Sequence, residues 1–167
     1  MGHREHKEKA LKTANCAVMT VSDSRTPETD AGGQLIIKYL RDQFHPVVSY
    51  QTVKDDPQEI RRALEALGVD EKIQLVILTG GTGLSRRDVT YETIEGLLDK
   101  QIMGFGELFR YLSYLEIGPA AMMSRATAGV YKGKVVISIP GSEDAVRLAM
   151  EKLILPELGH LVWDATR

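Results

Sequence analysis

Ile73-Gln74-Leu75-Val76-Ile77-Leu78 runs directly into Thr79-Gly80-Gly81-Thr82-Gly83, and the reading of this stretch decides the fold. A short continuous apolar run rich in β-branched residues fits a strand buried on both faces, and its abrupt end in glycines makes a loop. Arg86-Arg87-Asp88-Val89-Thr90 follows, with a helix expected from Thr90, so strand, glycine-rich loop and helix succeed one another. Glycines adopt backbone conformations closed to other residues, which lets several N–H groups converge on an anion with no Cβ in the way. A phosphate-bearing ligand is one reading of such a loop, and a plain tight turn is the other. The loop lacks the Lys-Ser/Thr of a P-loop and the third spaced glycine of the dinucleotide fingerprint, which excludes a Walker nucleotidase and a Rossmann dehydrogenase.

The same alternation extends outward in both directions. Cys16 to Ser22 reads as a buried strand, Asp23 to Thr29 as a polar loop, and Asp30 as the N-cap of a helix. That helix carries Leu35, Ile36, Tyr39 and Leu40 on one face and ends near Phe44. Val47 to Val53 is a second strand, after which Asp55-Asp56-Pro57 supplies a cap and a first-turn proline for a helix reaching Gly68. A helix from about Phe105 bears Phe105, Leu108, Phe109, Tyr111, Leu112 and Leu115 on a broad apolar stripe, with Tyr114 opposite. Val135 to Ile139 is a further strand, ending in Pro140-Gly141-Ser142 before a helix from about Glu143 to Leu153 that Pro156 interrupts or redirects. Such units pack as a mostly parallel sheet with helices on both faces, so the expected fold class is doubly wound α/β, with ligands at the carboxyl ends of the strands.

Composition sets the outer limits. The 167 residues, 43% apolar and 26% charged, suit one compact domain spanning 15–167, preceded by a charged, flexible tail over 1–14. With 21 basic against 23 acidic residues the formal charge is −2, so no overall positive field recruits nucleic acid or an acidic membrane. A single cysteine, Cys16, forms no internal disulfide and reads as a small core residue; a reducing cytoplasm is the expected location. The opening residues lack a secretory apolar stretch, and no apolar run reaches membrane-spanning length. His3, His6, His45 and His160 lack metal-ligand spacing, and Trp163 is expected to pack the last helix.

Three polar loops, Ser22-Asp23-Ser24, Thr79 to Gly83 and Pro140-Gly141-Ser142, follow three strands and gather along one sheet edge in this architecture. Asp88 either caps the following helix or ligates magnesium, and Asp55 has the same two readings. Two carboxylates ending separate loops would hold one or two magnesium ions against a triphosphate and neutralise its charge.

The strings Thr20-Val21-Ser22-Asp23, Thr79 to Gly83, Arg87-Asp88-Val89-Thr90, Gly104-Phe105-Gly106-Glu107, Ser124-Arg125 and Pro140-Gly141-Ser142 stand in the order seen in the MogA/MoaB family. The chain resembles that family over nearly everything after residue 14, and looks closer to the MoaB branch. The resemblance implies the molybdopterin-binding fold and a reaction: magnesium-dependent adenylylation of molybdopterin by ATP, giving adenylylated molybdopterin and pyrophosphate. It places the two functional aspartates on Asp88 and Asp55, with Asp56 standing in for Asp55 if the register slips by one. Substrate contacts are implied at Ser22, Asp23, Thr79, Gly80, Gly81, Thr82, Gly83, Arg87, Ser124, Arg125, Pro140, Gly141 and Ser142. Homotrimers or hexamers are implied as well, with the Phe105 helix a candidate interface and a downstream metal-insertion enzyme a candidate partner. Two alternatives stay open, a nucleotide pyrophosphatase of related fold and a catalytically silent pterin-binding scaffold. Retention of Asp88 favours activity.

Overall fold

The computed structural model describes residues 11–167. Strand β1 (Cys16–Val21) is buried along its whole length. Its side chains alternate, Cys16 and Val18 entering one apolar cluster and Ala17, Met19 and Val21 the other. β2 (Val47–Val53) lies beside it at the edge, and β3 (Leu75–Thr79) on its other flank. The central strand β3 repeats the division: Leu75 and Ile77 face one layer, Val76 and Leu78 the other. A strand covered on both faces gains from apolar residues at every position, which is why 73–78 shows no polar alternation.

The sheet has six strands in the order β2-β1-β3-β6-β5-β4 among the described residues, with β4 (Lys100–Gln101), β5 (Thr127–Tyr131) and β6 (Lys134–Ile139) completing it. β2, β1, β3 and β6 run parallel, whereas β5 pairs antiparallel with β6 and β4 antiparallel with β5. The expected doubly wound, mostly parallel architecture is therefore present, with an antiparallel edge that the strand–helix alternation does not announce. β5 turns into β6 through Lys132 and Gly133, both at positive φ, the two-residue loop whose twist matches that of a hairpin.

Helices cover both faces. α1 (Ala31–Asp42) packs on one and α2 (Pro57–Val69) on the other, together with the short α3 (Thr90–Glu95). α4 (Met103–Ile117), α5 (Glu143–Ala149) and α6 (Leu155–Thr166) join α1. The caps follow the sequence: the Gly33 N–H donates to Asp30 at 3.0 Å, and the Gln58 and Glu59 N–H groups donate to Asp56 at 2.9 and 3.0 Å, with Pro57 in the first turn. The helix after β6 does not stop near Leu153. It widens into a π-helical turn, Met150–Ile154, and continues as α6 with Pro156 in the first turn, where a missing N–H costs little.

Residues 1–10 of the expected tail, including His3 and His6, lie outside the described residues. Its last residues are docked: the Leu11 N–H donates to Gly159 O at 3.2 Å, and buried Ala14 donates to Nδ1 of His45 at 3.2 Å. His45 thus fastens the chain's entry, and burial lowers its pKa. The stripe on α4 divides, because only one side of it meets the sheet. Phe105 and Phe109 are buried, while Leu108, Tyr111 and Leu115 are exposed along with Tyr114. No helix of the described residues is long and apolar enough to cross a membrane.

Candidate active site

The loops that leave the carboxyl ends of the four parallel strands meet at one cavity of about 420 Å³. Ser22 and Arg25 come from the loop after β1, Asp55 from that after β2, Gly80 to Gly83 and Asp88 from that after β3, and Pro140 and Gly141 from that after β6. Ala120, Met123 and Ser124 close a side wall, the first two from the 3-10 turn Gly118–Met123 that follows α4. A second cavity of about 200 Å³ adjoins the first through Ser124 and Pro140 and has Phe109 and Leu148 beside Ser113 and Ser142 in its lining.

The glycine loop is laid tightly across the strand ends. The Gly80 N–H donates to Ile139 O at 3.1 Å, and buried Thr79 donates its hydroxyl hydrogen to Pro140 O at 3.2 Å, so the loops after β3 and β6 are tied together. Gly80 and Gly81 have φ of 96° and 67°, and a Cβ at Gly80 would collide with Val21 O. On the outer side, Arg125 donates from Nε to Thr82 O at 2.8 Å and from Nη2 to Gly83 O at 2.6 Å. It also pairs with Glu92 and stacks over the Tyr91 ring at 4.9 Å. The Arg125 hydrogen bond holds the Glu92 carboxyl below its ordinary pKa. In a trans peptide the carbonyl and the following N–H point in opposite directions. Arg125, by claiming the carbonyls, turns the amides of Gly83 and Leu84 away from itself. The N–H groups of Gly81, Thr82 and Gly83 have no acceptor among the described residues.

The acids lie against the same glycine loop, Asp55 beside Gly81 and Asp88 beside Gly83. Asp56 is committed to capping α2, which frees Asp55 to face the loop. The Asp55 N–H donates to Asp23 Oδ1 at 3.1 Å, so Asp23 positions Asp55 from behind. Asp88 does not cap α3, whose N-cap position is Val89 and which has no side-chain cap; its Oδ2 accepts from the Ser85 N–H at 3.1 Å beneath Gly83. Burial raises the pKa of Asp55, the charges of Asp23 and Asp88 raise it further, and Arg87 works against them. The acids near Asp55 thus disfavour its charged form, and a cation placed beside it would favour that form again.

The fit to magnesium can be read from the donors. Asp55 Oδ1 is buried and lacks any hydrogen-bond partner among the described residues. No cluster of three or more His, Cys, Asp or Glu suited to a metal occurs among those residues, which disfavours a closed zinc cage. Magnesium is commonly held by one or two carboxylates together with substrate phosphates, and Asp55 with Asp88 meets that description.

Of the residues singled out from sequence, Ser22, Asp55, Gly80, Gly81, Thr82, Gly83, Asp88, Ser124, Pro140 and Gly141 line the main cavity. Asp23, Thr79 and Arg125 stand behind it as braces, and Arg87 is exposed but near enough to act on Asp55. Ser142 caps α5, accepting from the Ala145 N–H at 3.2 Å, and faces the adjoining cavity. Sequence reasoning missed Arg25, whose guanidinium reaches Gly141 O at 3.4 Å and the buried Asp30 carboxylate at 3.7 Å. It is one residue beyond the quoted Ser22-Asp23-Ser24 loop, and a cation so close was the available signal. Asp30 in turn accepts from Thr20 at 2.5 Å and Tyr50 at 2.6 Å, anchoring the loop's base.

Comparison with known proteins adds an independent line. The family described as "Probable molybdopterin binding domain" matches residues 17–160. Molybdenum cofactor biosynthesis protein B of Bacillus cereus is 52% identical over 168 residues, covering 100% of this chain and 99% of that protein. A crystal structure of a molybdenum cofactor biosynthesis protein B shares 53% identity at a TM-score of 0.90, covering 92% of this chain and 96% of the other. That of the tungsten cofactor synthesizing protein MoaB from Pyrococcus furiosus shares 40% identity at 0.84, covering 95% and 100%.

Proposed function

Since the chain belongs to the molybdopterin-binding domain family, with relatives on its MoaB branch, we propose that it acts in molybdenum cofactor biosynthesis as a molybdopterin adenylyltransferase. The observation that carries this reading is the set of unclaimed amides at Gly81, Thr82 and Gly83, on residues that line one cavity together with Asp55 and Asp88. Free N–H groups beside acids suit a polyanion that arrives with a cation, here ATP with magnesium.

In this reading the loop amides bind the nucleotide phosphates, with Arg25 and Arg87 orienting them from two sides. The half-apolar adjoining cavity receives the pterin, and its phosphate reaches the main cavity past Ser124 and Pro140. A terminal phosphate oxygen of molybdopterin attacks the α-phosphorus of ATP; the new P–O bond forms as the α–β bridge breaks, and pyrophosphate leaves. Asp55 and Asp88 would hold magnesium, which when bound neutralises charge on the triphosphate. No side-chain nucleophile takes part. The exposed side of α4, Leu108, Tyr111 and Leu115, is read as the contact of a homotrimer or hexamer, and the product passes in the cytoplasm to a metal-insertion enzyme.

Pyrophosphate release, followed with and without molybdopterin, tests the proposal. It should require the pterin and be abolished in Asp88→Asn with the fold unchanged. Turnover that ignores the pterin would replace this reading with a pyrophosphatase, and tight pterin binding with no ATP dependence would replace it with a scaffold.

A further inference from the structure

Three buried side-chain oxygens lack a hydrogen-bond partner among the described residues: Asp55 Oδ1, Thr90 Oγ and Ser138 Oγ. The first two face the same glycine. A Cβ on Gly81 would collide with both, so the two oxygens are neighbours across a space that only a glycine leaves open. Thr90 is fully buried, and its backbone is fixed from the same side, its N–H donating to Gly81 O at 2.9 Å.

Buried polar atoms are nearly always paired, and an unpaired one signals a cost that something else recovers. Two oxygens with unused lone pairs lie side by side here, one of them on a carboxylate whose own backbone N–H is held by Asp23. The nearest counter-charge, Arg87, acts on Asp55 without bonding to it. A valine would fill the place of Thr90 among the surrounding packing and leave no orphan hydroxyl. Hard oxygen atoms that converge without hydrogen-bonding to one another or to a third group are what a hard divalent cation can use, the hydroxyl turning its proton away.

We infer that Thr90 Oγ is a third protein oxygen of the divalent-cation site, beside Asp55 Oδ1 and the Asp88 carboxylate. The inference rests on the proposed reading of the cavity, and it assigns to a neutral hydroxyl a role that charge alone gives only to the acids. It also gives Gly81 a second duty, since any side chain there would fill the gap between the two donors.

The test uses metal-free full-length protein and Mn2+ as the probe, with free Mn2+ followed by electron paramagnetic resonance and stability followed by thermal melting. Thr90→Val should bind Mn2+ at least about tenfold more weakly than the native chain, and Thr90→Ser should recover most of the affinity. Without metal, Thr90→Val should melt a few degrees higher, because an unsatisfied buried hydroxyl has been removed. Native-like Mn2+ affinity in Thr90→Val overturns the inference. So does a lower melting temperature, which would mean that the hydroxyl donates within the fold. Asp88→Asn separates this claim from the one beneath it. If Asp88→Asn weakens binding and Thr90→Val does not, the cavity reading stands and the third donor falls; if only Thr90→Val weakens it, the assignment of Asp88 falls instead.

Discussion

Replacing Arg125 with methionine probes the brace that aims the glycine loop. Methionine keeps much of the apolar stem but none of the donors to Thr82 O and Gly83 O, at 2.8 and 2.6 Å, or the pair with Glu92. A hydrogen bond from a charged donor is worth about 1.5–3 kcal/mol, discounted here because both carbonyls regain water when released. Glu92 is largely exposed, so its pairing adds no more than about 1 kcal/mol. A total loss of about 2–4 kcal/mol follows, which in a chain of this size lowers the melting temperature by about 4–16 °C. Urea unfolding gives the free energy, and amide hydrogen exchange at 81–84 gives the local effect. The exchange should accelerate more than that of the β3 core, because the carbonyls no longer fix the adjoining N–H groups. A loss below about 1 kcal/mol with unchanged exchange would refute the brace.

Further outcomes follow from the same geometry. Gly81→Ala places a side chain at φ 67° and against Asp55 and Thr90, so it should cost at least about 1–2 kcal/mol and abolish nucleotide binding in calorimetry; native-like binding would contradict the cradle. For Asp55 the folded pKa is raised, by burial first and then by Asp23 and Asp88, so the folded chain holds that proton more tightly than the unfolded one. The stability it contributes is complete below the ordinary aspartate range and lost as pH climbs through the raised value. Asp55→Asn should therefore melt higher than the native chain at neutral pH without metal, with the gap closing on acidification; a gap independent of pH would rule this out. Asp30→Ala removes the α1 cap and the acceptor of Thr20 and Tyr50, and should cost about 3–5 kcal/mol in urea unfolding, against about 1 kcal/mol for Tyr50→Phe. Equal losses in the two would show that Asp30 is not the hub.

Most of the parallel sheet is legible in the sequence because each central strand is a local signal: 16–21, 75–79 and 135–139 are apolar at almost every position and end in turn residues. The caps at Asp30 and Asp56 are equally local, each within three residues of the N–H groups it receives. The antiparallel edge is not. The buried part of β5 is made of small residues, Thr127, Ala128 and Gly129, which carry little pattern, and β4 is two exposed residues defined only by its partner. The docking of Leu11 on Gly159 and of Ala14 on His45 joins distant parts of the chain, and nothing in a charged tail foretells it.

The site divides along the same line. Gly80 to Gly83, Asp55 and Asp88 follow from residue type at strand ends, since few other residues serve those positions. Whether a polar residue touches the ligand or supports a residue that does depends on long-range contacts. Arg125 reaches across 42 and 43 positions to the loop carbonyls, and Thr90 meets Asp55 only because α2 and β3, which lie between them in the chain, fold the two together at Gly81.

The central claim is that one cavity brings a metal-bound nucleotide against a phosphorylated pterin. Mass spectrometry of the protein incubated with molybdopterin, ATP and magnesium tests it most directly. The expected result is a molybdopterin species heavier by one adenylyl group, formed with stoichiometric pyrophosphate and absent when any of the three components is withheld. Unmodified molybdopterin after complete mixing, with the protein folded and both substrates intact, would contradict it.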